Sequence, residues 1–321
     1  MNILVTGGAG YIGSVAIEKL LMLGFNVFCL DNLSNGKLKA IEPNCTFFNG
    51  SFGDSDLLEN IFSSNKIDFV FHFAAEANVP DSLKNPEKYY STNIIYSINL
   101  LNKMIEHGIN KLVFSSSAAV YGDPIYSPID ELHSVEPINP YGYTKLVFEN
   151  IMKDYENAYG LEHISFRYFC AAGASSKHGE SRNHESHLIP NVVDHILKKK
   201  TEIYVYGNDF DTIDGTGVRD YVHVEDIVNA HIMAIKKIKK CTGKKYNIGT
   251  SIGFSVLEVI KEAENIFSQK ANLNIKERRE GDPAILVATS DLIQSDFSWT
   301  PKRTLTDMLL STYEWRKNPL Y

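Results

Sequence analysis

The residues of this chain best placed by type and spacing to do chemistry lie between Lys111 and Lys145. Ser115, Ser116 and Ser117 follow an apolar run of strand length, which puts hydroxyls at a strand's carboxyl end, where α/β sheets expose their sites. Downstream, PYGYTK places Tyr141 and Lys145 at i and i+4, on one face of a helix. An ammonium at that distance stabilises a phenolate and draws the tyrosine pKa toward the working pH, as a general acid or base requires. A serine hydroxyl can donate to the same substrate oxygen. The spacing alone is weak: with 17 tyrosines, about one chance YxxxK match is expected. Tyr313 with Lys317 is such a match, in an amphipathic C-terminal stretch with Trp315 whose ordinary role is packing.

Elements that could position this chemistry begin at the N-terminus. Asn2 to Gly24, NILVTGGAGYIGSVAIEKLLMLG, reads as strand, glycine turn and helix. Gly7 lets the chain leave the strand, Gly10 lets backbone N–H groups approach a pyrophosphate, and Gly13 lets the helix pack against the sheet. A second apolar run, Asn26 to Leu30, ends in Asp31, roughly twenty residues on, where a carboxylate can bind adenosine ribose hydroxyls and repel a 2′-phosphate. That favours NAD over NADP. Alternation continues with strands at Thr46–Phe48, Phe69–Phe73, Lys111–Ser115 and His163–Phe169. Helices are predicted at Asp54–Ser64, Pro86–His107 and Tyr141–Tyr159, the last two closed by Gly108 and Gly160. Six strands with helical crossovers predict a Rossmann-type, doubly wound parallel sheet of the α/β class. Beyond Phe169 the elements shorten, around Ile203–Tyr206, Val224–Lys237, Val256–Phe267 and Leu305–Trp315. The predicted division is a dinucleotide-binding domain over 1–169 and a smaller, interleaved C-terminal lobe over 170–321, some segments of which return to the first. With no Pro/Ser linker between them, the two are expected to pack around a cleft.

With 44% hydrophobic and 22% charged residues the chain has the composition of a globular protein. A net charge of −7 argues against nucleic-acid binding, which needs a basic surface; Lys198–Lys200 and Lys236–Lys240 read as solvated helix ends. Cys29, Cys45, Cys170 and Cys241 have neither disulfide-framework nor metal-ligand spacing, so a reducing compartment and no metal are expected. Without a signal peptide or membrane span, the expected location is cytoplasmic.

The segments TGGAGYIGS, HFAAEANV, SSSAAVYG, PYGYTK, RYFCAAGA, HLIP, DGTGVRDYVHVED and RREGDPA occur in the order found in extended short-chain dehydrogenases/reductases, and the chain resembles that family from residue 3 to about 290. The last two motifs make it most similar to the nucleotide-sugar 4-epimerases. The resemblance implies Tyr141 as catalytic base, Lys145 tuning it and holding the nicotinamide ribose, and Ser117 hydrogen-bonded to the reacting hydroxyl. It places Gly7, Gly10, Tyr11, Ile12, Gly13, Asp31, Asn32, Phe73, Ala74, Ala75, Asn93, Ser115, Tyr141, Lys145 and Tyr168 at NAD. It assigns Ser117, Tyr168, Cys170, Leu188, Arg219, Arg279, Asp282 and Leu286 to a UDP-sugar, with the two arginines on the diphosphate and Asp282 on the uridine ribose. The implied reaction is NAD-dependent 4-epimerisation of a UDP-hexose, UDP-galactose to UDP-glucose, through a 4-keto sugar. Leu286 stands where a bulkier residue would crowd a 2-acetamido group, so UDP-N-acetylhexosamines are also expected to fit. A homodimer through the Pro86–His107 and Tyr141–Tyr159 helices is implied as well.

Three positions depart from the family pattern: Ser51 replaces an Asp that binds the adenine amino group, Cys170 replaces an Asn that contacts the phosphates, and Val15 replaces a His. Other activities on this scaffold are a nucleotide-sugar 4,6-dehydratase, a carbonyl reductase, or a non-catalytic NAD sensor. The dehydratase needs an Asp–Glu pair where Ala118 and Ala119 stand; intact Ser117, Tyr141 and Lys145 disfavour the sensor.

Overall fold

The computed structural model describes residues 1–182, 185–279 and 281–321. Its chain divides into two compact units, one of residues 1–122, 134–167 and 228–246, the other of 123–133, 168–227 and 247–321. The chain therefore passes from one unit to the other several times.

The first unit is built on β1 (Asn2–Thr6), α1 (Tyr11–Met22), β2 (Asn26–Asp31), β3 (Thr46–Asn49), α2 (Ser55–Ser64) and β4 (Phe69–His72). It continues with α3 (Val79–Lys84), α4 (Pro86–Tyr90), α5 (Tyr96–Glu106), β5 (Lys111–Ser117), α6 (Pro140–Tyr159) and β6 (Glu162–Tyr168). A seven-stranded sheet runs in the order β3–β2–β1–β4–β5–β6, completed by a later strand, Lys245–Ile248. The β1–β2, β2–β3, β1–β4 and β4–β5 pairs are parallel, so the order reverses between β1 and β4, the point at which such sheets open for ligands. Apolar faces of α2, α5 and α6 cover a core of Leu4, Val70, Leu100, Leu101, Leu112, Phe114 and Phe148.

The helix ends follow from sequence. Asp54 caps α2 by accepting N–H groups of Asp56 and Leu57, Asn139 caps α6 through Gly142 N, and Gly160 closes α6 at φ +72°. The single helix predicted over Pro86–His107 is interrupted: α4 passes through one π turn, Ser91–Ile95, before α5. β5 also runs two residues beyond its predicted end, so Ser116 and Ser117 lie within the strand.

The second unit contains β7 (Cys170–Ala172), α7 (Leu188–Ile196), β8 (Ile203–Tyr206) and β9 (Val218–His223). From there α8 (Val224–Lys237) and β10 (Lys245–Ile248) carry the chain through the first unit and back. β11 (Gly253–Ser255), α9 (Val256–Phe267), β12 (Leu273–Lys276), β13 (Ile285–Leu286), α10 (Asp291–Phe297) and α11 (Leu305–Lys317) follow. β9 pairs antiparallel with β11 and parallel with β7 and β13, while β8 and β12 form a separate parallel pair. Ile189, Val193, Val205, Val259, Ile260, Met308 and Leu309 form its core. Capping boxes start α9 at Ser255/Glu258 and α11 at Thr304/Asp307. No helix among the described residues is long and apolar enough to cross a membrane.

Candidate active site

The glycine turn joins β1 to α1 at the switch point. Gly7 sits at φ +73°, donates its N–H to Leu30 O at 2.9 Å, and a Cβ there would lie 2.6 Å from Ala74 N. A Cβ at Gly13 would lie 2.2 Å from Gly7 O, so the turn must stay bare of side chains. Gly10 is the N-cap of α1 and offers its N–H groups no side-chain cap, and no acidic residue occupies the first turn, where Tyr11 and Ile12 stand. N–H groups at the positive end of a helix without a side-chain cap suit a pyrophosphate, so this cradle fits a dinucleotide. The exits of β1 and β4 lie side by side, Phe73 N donating to Thr6 O at 3.1 Å, with half-buried Ala74 and Ala75 next in the chain.

Asp31, at the end of β2, accepts Ala9 N at 3.0 Å and Leu33 N at 2.8 Å. It thereby fastens the glycine turn, while each carboxylate oxygen keeps a further lone pair for a ribose hydroxyl. Burial raises its pKa, opposed by those two N–H groups. Exposed Asn32 caps the next turn through Ser34 N. Asn93, expected beside the nicotinamide, spends its amide within the protein: Oδ1 accepts Glu76 N at 2.9 Å, and Nδ2 donates to Glu76 O and Thr144 Oγ1, both at 3.0 Å. Lying in the π turn, it ties the loop after β4 to the residue preceding Lys145.

Lys145 is buried, donates to Ser115 O at 2.7 Å and lies 4.7 Å from the Phe114 ring centroid and 5.7 Å from that of Tyr141. Burial lowers its pKa to about 7, opposed by the charge of Glu149 one turn along α6. His72 lies beneath, bonded to Thr6 Oγ1 at 2.7 Å and Ser97 Oγ at 3.0 Å; burial first, then the Lys145 charge, pushes its pKa down to about 3, so it is neutral. Ser117 Oγ accepts Ala119 N at 3.1 Å, which leaves its hydrogen to donate. Half-buried Tyr141 stands in the first turn of α6, so the serine, tyrosine and lysine all belong to the β5–α6 region of one unit.

In the second unit the expected substrate residues gather around β9. Arg219 donates to Val218 O at 2.9 Å and stands 3.6 Å from the Asp282 carboxylate; Leu286 on β13 is its register partner, and Cys170 on β7 is that of Tyr221. Arg279 lies instead against the end of β8, its guanidinium 3.8 Å from the Tyr206 ring centroid, and its carbonyl accepts Asp282 N at 3.3 Å. Burial raises the Cys170 thiol to about 11, so it is neither an anion nor a nucleophile near neutral pH. Tyr168 is buried at the end of β6, and Leu188, at the start of α7, packs on the core. Glu280 of the RREGDPA motif lies outside the described residues.

Of the departures, Val15 is fully buried in α1 and Ser51 accepts Gly53 N at 3.0 Å, closing the turn after β3. Glu180, Glu185 and His187 approach within 4.8 Å, but Glu180 already pairs with Arg182 at 2.6 Å and Glu185 with Arg316 at 3.5 Å. Sequence reasoning missed Thr144, Glu149, Arg167, Tyr206 and Asp220. The i+4 spacing from Lys145 to Glu149 and the position of Asp220 within RDY were the available signals.

The strand order and the glycine turn define a Rossmann-type dinucleotide-binding protein. The chain belongs to the NAD-dependent epimerase/dehydratase family, which matches residues 3–249. It is 43% identical over 321 residues to a UDP-glucose 4-epimerase of Halalkalibacterium halodurans, covering 99% of this chain and 96% of that one. Among solved structures it is similar to the UDP-glucose 4-epimerase of Bifidobacterium longum in complex with NAD+ and UDP, with a TM-score of 0.94, 37% identity, and 100% and 99% of the two chains covered. It is also similar to the UDP-Glc/GlcNAc 4-epimerase of Campylobacter jejuni, with a TM-score of 0.86, 35% identity, and 98% and 99% covered.

Proposed function

We propose that the protein is an NAD-dependent isomerase that interconverts UDP-galactose and UDP-glucose by inverting C4. The observation that carries the reading is the placement of Lys145, buried and anchored on the strand-end carbonyl of Ser115, one helical turn from Tyr141 in a dinucleotide-binding fold. Tyr141 takes the proton of the sugar 4-hydroxyl, the Lys145 ammonium lowers the cost of the phenolate, and Ser117 donates to the same oxygen. When bound, NAD supplies the hydride acceptor and donor for C4. Gly7, Gly10, Tyr11, Ile12, Gly13, Asp31 and Asn32 hold its adenosine and phosphates. Arg219 and Arg279 grip the UDP diphosphate and Asp282 the uridine ribose, so the nucleotide carries the firm anchor and the 4-keto sugar can turn to present either face. Adding UDP-galactose to the purified protein without supplied NADH tests this: UDP-glucose should form, and its absence would refute the reading. A dehydratase is not favoured, since Ala118 and Ala119 carry no acid or base.

Several finer assignments are proposals on the same footing. Leu286, smaller than a tyrosine and only half-buried, leaves room for a 2-acetamido group, so UDP-N-acetylhexosamines are substrates as well. The first unit is the NAD-binding part and the second the sugar-nucleotide part. The protein is cytoplasmic and a homodimer through the α4–α5 and α6 surfaces, a reading supported by exposed Ile95 and Tyr143 there. A monomer in sedimentation at micromolar concentration would refute the dimer.

A further inference from the structure

Glu149 lies one turn beyond Lys145 on α6, on the same face, and is completely buried. Its Oε1 accepts the Ser116 hydroxyl at 2.6 Å and Arg167 Nε at 3.0 Å, while Oε2 accepts Arg167 Nη2 at 2.6 Å. The remaining arm of Arg167, also buried, donates to Tyr121 OH at 3.0 Å, with the guanidinium 4.9 Å from that ring's centroid. A buried carboxylate–guanidinium pair adds little stability over a well-packed apolar pair, so stability alone is a weak reason for placing one directly beneath the acid–base pair.

The connections supply a better reason. Two successive residues of β5 are bound to two successive turns of α6: the Ser115 carbonyl takes Lys145, and the Ser116 hydroxyl goes to Glu149. The next residue is Ser117. We propose that Glu149, clamped by Arg167, is a positioning residue that acts through Ser116 to hold the Ser115–Ser117 strand end in register with the helix carrying Tyr141 and Lys145. Angstrom-scale misplacement of reacting groups costs about 100-fold in rate, so this register controls turnover without touching substrate. The charged and titratable groups around Lys145 are Tyr141 and Glu149 from α6, neutral His72 from β4, and Arg167 from β6 acting through Glu149.

The inference rests on the epimerase reading, and its test is made on the NAD-loaded enzyme with UDP-galactose. Ser116→Ala removes the link and leaves the ion pair whole. It should lower kcat by about 10- to 100-fold while KM, NAD content and Tm stay near wild type. Glu149→Gln should lower kcat at least as far. It should also move the alkaline limb of the pH–kcat profile to lower pH, because loss of the neighbouring anion disfavours the Lys145 ammonium. If Glu149→Gln does not fold, Ser116→Ala decides. A folded Ser116→Ala with wild-type kcat overturns the proposal, as does a loss of kcat matched by equal losses of NAD and folded protein. A wild type that fails to interconvert the sugars marks failure of the epimerase reading itself, and the proposal falls with it.

Discussion

Lys145 and Arg219 are the central cations of the two units, and they are held in different ways. Lys145 is buried, bonded to a strand carbonyl and backed by Glu149, itself clamped by Arg167. Arg219 keeps 15% of its side chain exposed and stands 3.6 Å from an Asp282 that is 40% exposed. The first arrangement costs desolvation and gains fixed orientation, which chemistry needs. The second keeps its donors near water, as a site that must take up and release a charged ligand requires. Rate should therefore depend most steeply on the first region, and substrate choice on the second.

The largest effect should come from Tyr141→Phe, which keeps the ring and removes the proton-transferring hydroxyl. Turnover should fall by about 10² to 10⁴ with NAD still bound, measured as kcat alongside nucleotide content. Near-wild-type activity would remove Tyr141 as the base. In the second region, Leu286→Tyr should suppress kcat/KM for UDP-N-acetylgalactosamine by roughly 10- to 200-fold while sparing UDP-galactose. Equal loss with both sugars would show that Leu286 does not gate the pocket.

Burial of Lys145 has a sign that can be checked. Its folded pKa of about 7 lies below the ordinary 10.5, so between those values the unfolded chain binds more protons and stability rises with pH. The cost of the buried charge is fully present below about pH 7 and gone above about 10.5. Tm of nucleotide-free Lys145→Met, relative to wild type, should therefore be most favourable at pH 6 to 7 and decline toward pH 10 (roughly the interval set by the shift). A pH-independent difference would mean that Lys145 keeps an ordinary pKa. The smallest effect should be that of Tyr313→Phe: its ring stacks on Phe267 at 4.6 Å between centroids, within the core of the second unit, and kcat should stay within about twofold.

The parts legible in sequence were those encoded over short distances. The glycine turn, Asp31, the strand-end serines and the Tyr141–Lys145 pair each depend on spacing within one strand–turn–helix or one helix face. β10 was not legible as a strand of the main sheet, because KYNI is too short to carry a period and its partner β6 lies far back in the chain. The same holds for Asp220, whose carboxylate accepts N–H groups of Thr250, Ser251 and Ala288. Asn93 was assigned to the cofactor on family likeness, and its bonds to Glu76 and Thr144 depend on a π turn that no local signal announced.

The central claim, inversion at C4 by a hydride removed and returned within one site, is tested most directly with UDP-galactose deuterated at C4, incubated with the purified protein in ordinary water without added cofactor. The account predicts UDP-glucose that retains deuterium at C4, since the label leaves as hydride and returns to the same carbon on the other face. UDP-glucose carrying solvent hydrogen at C4, or no conversion at all, would contradict it.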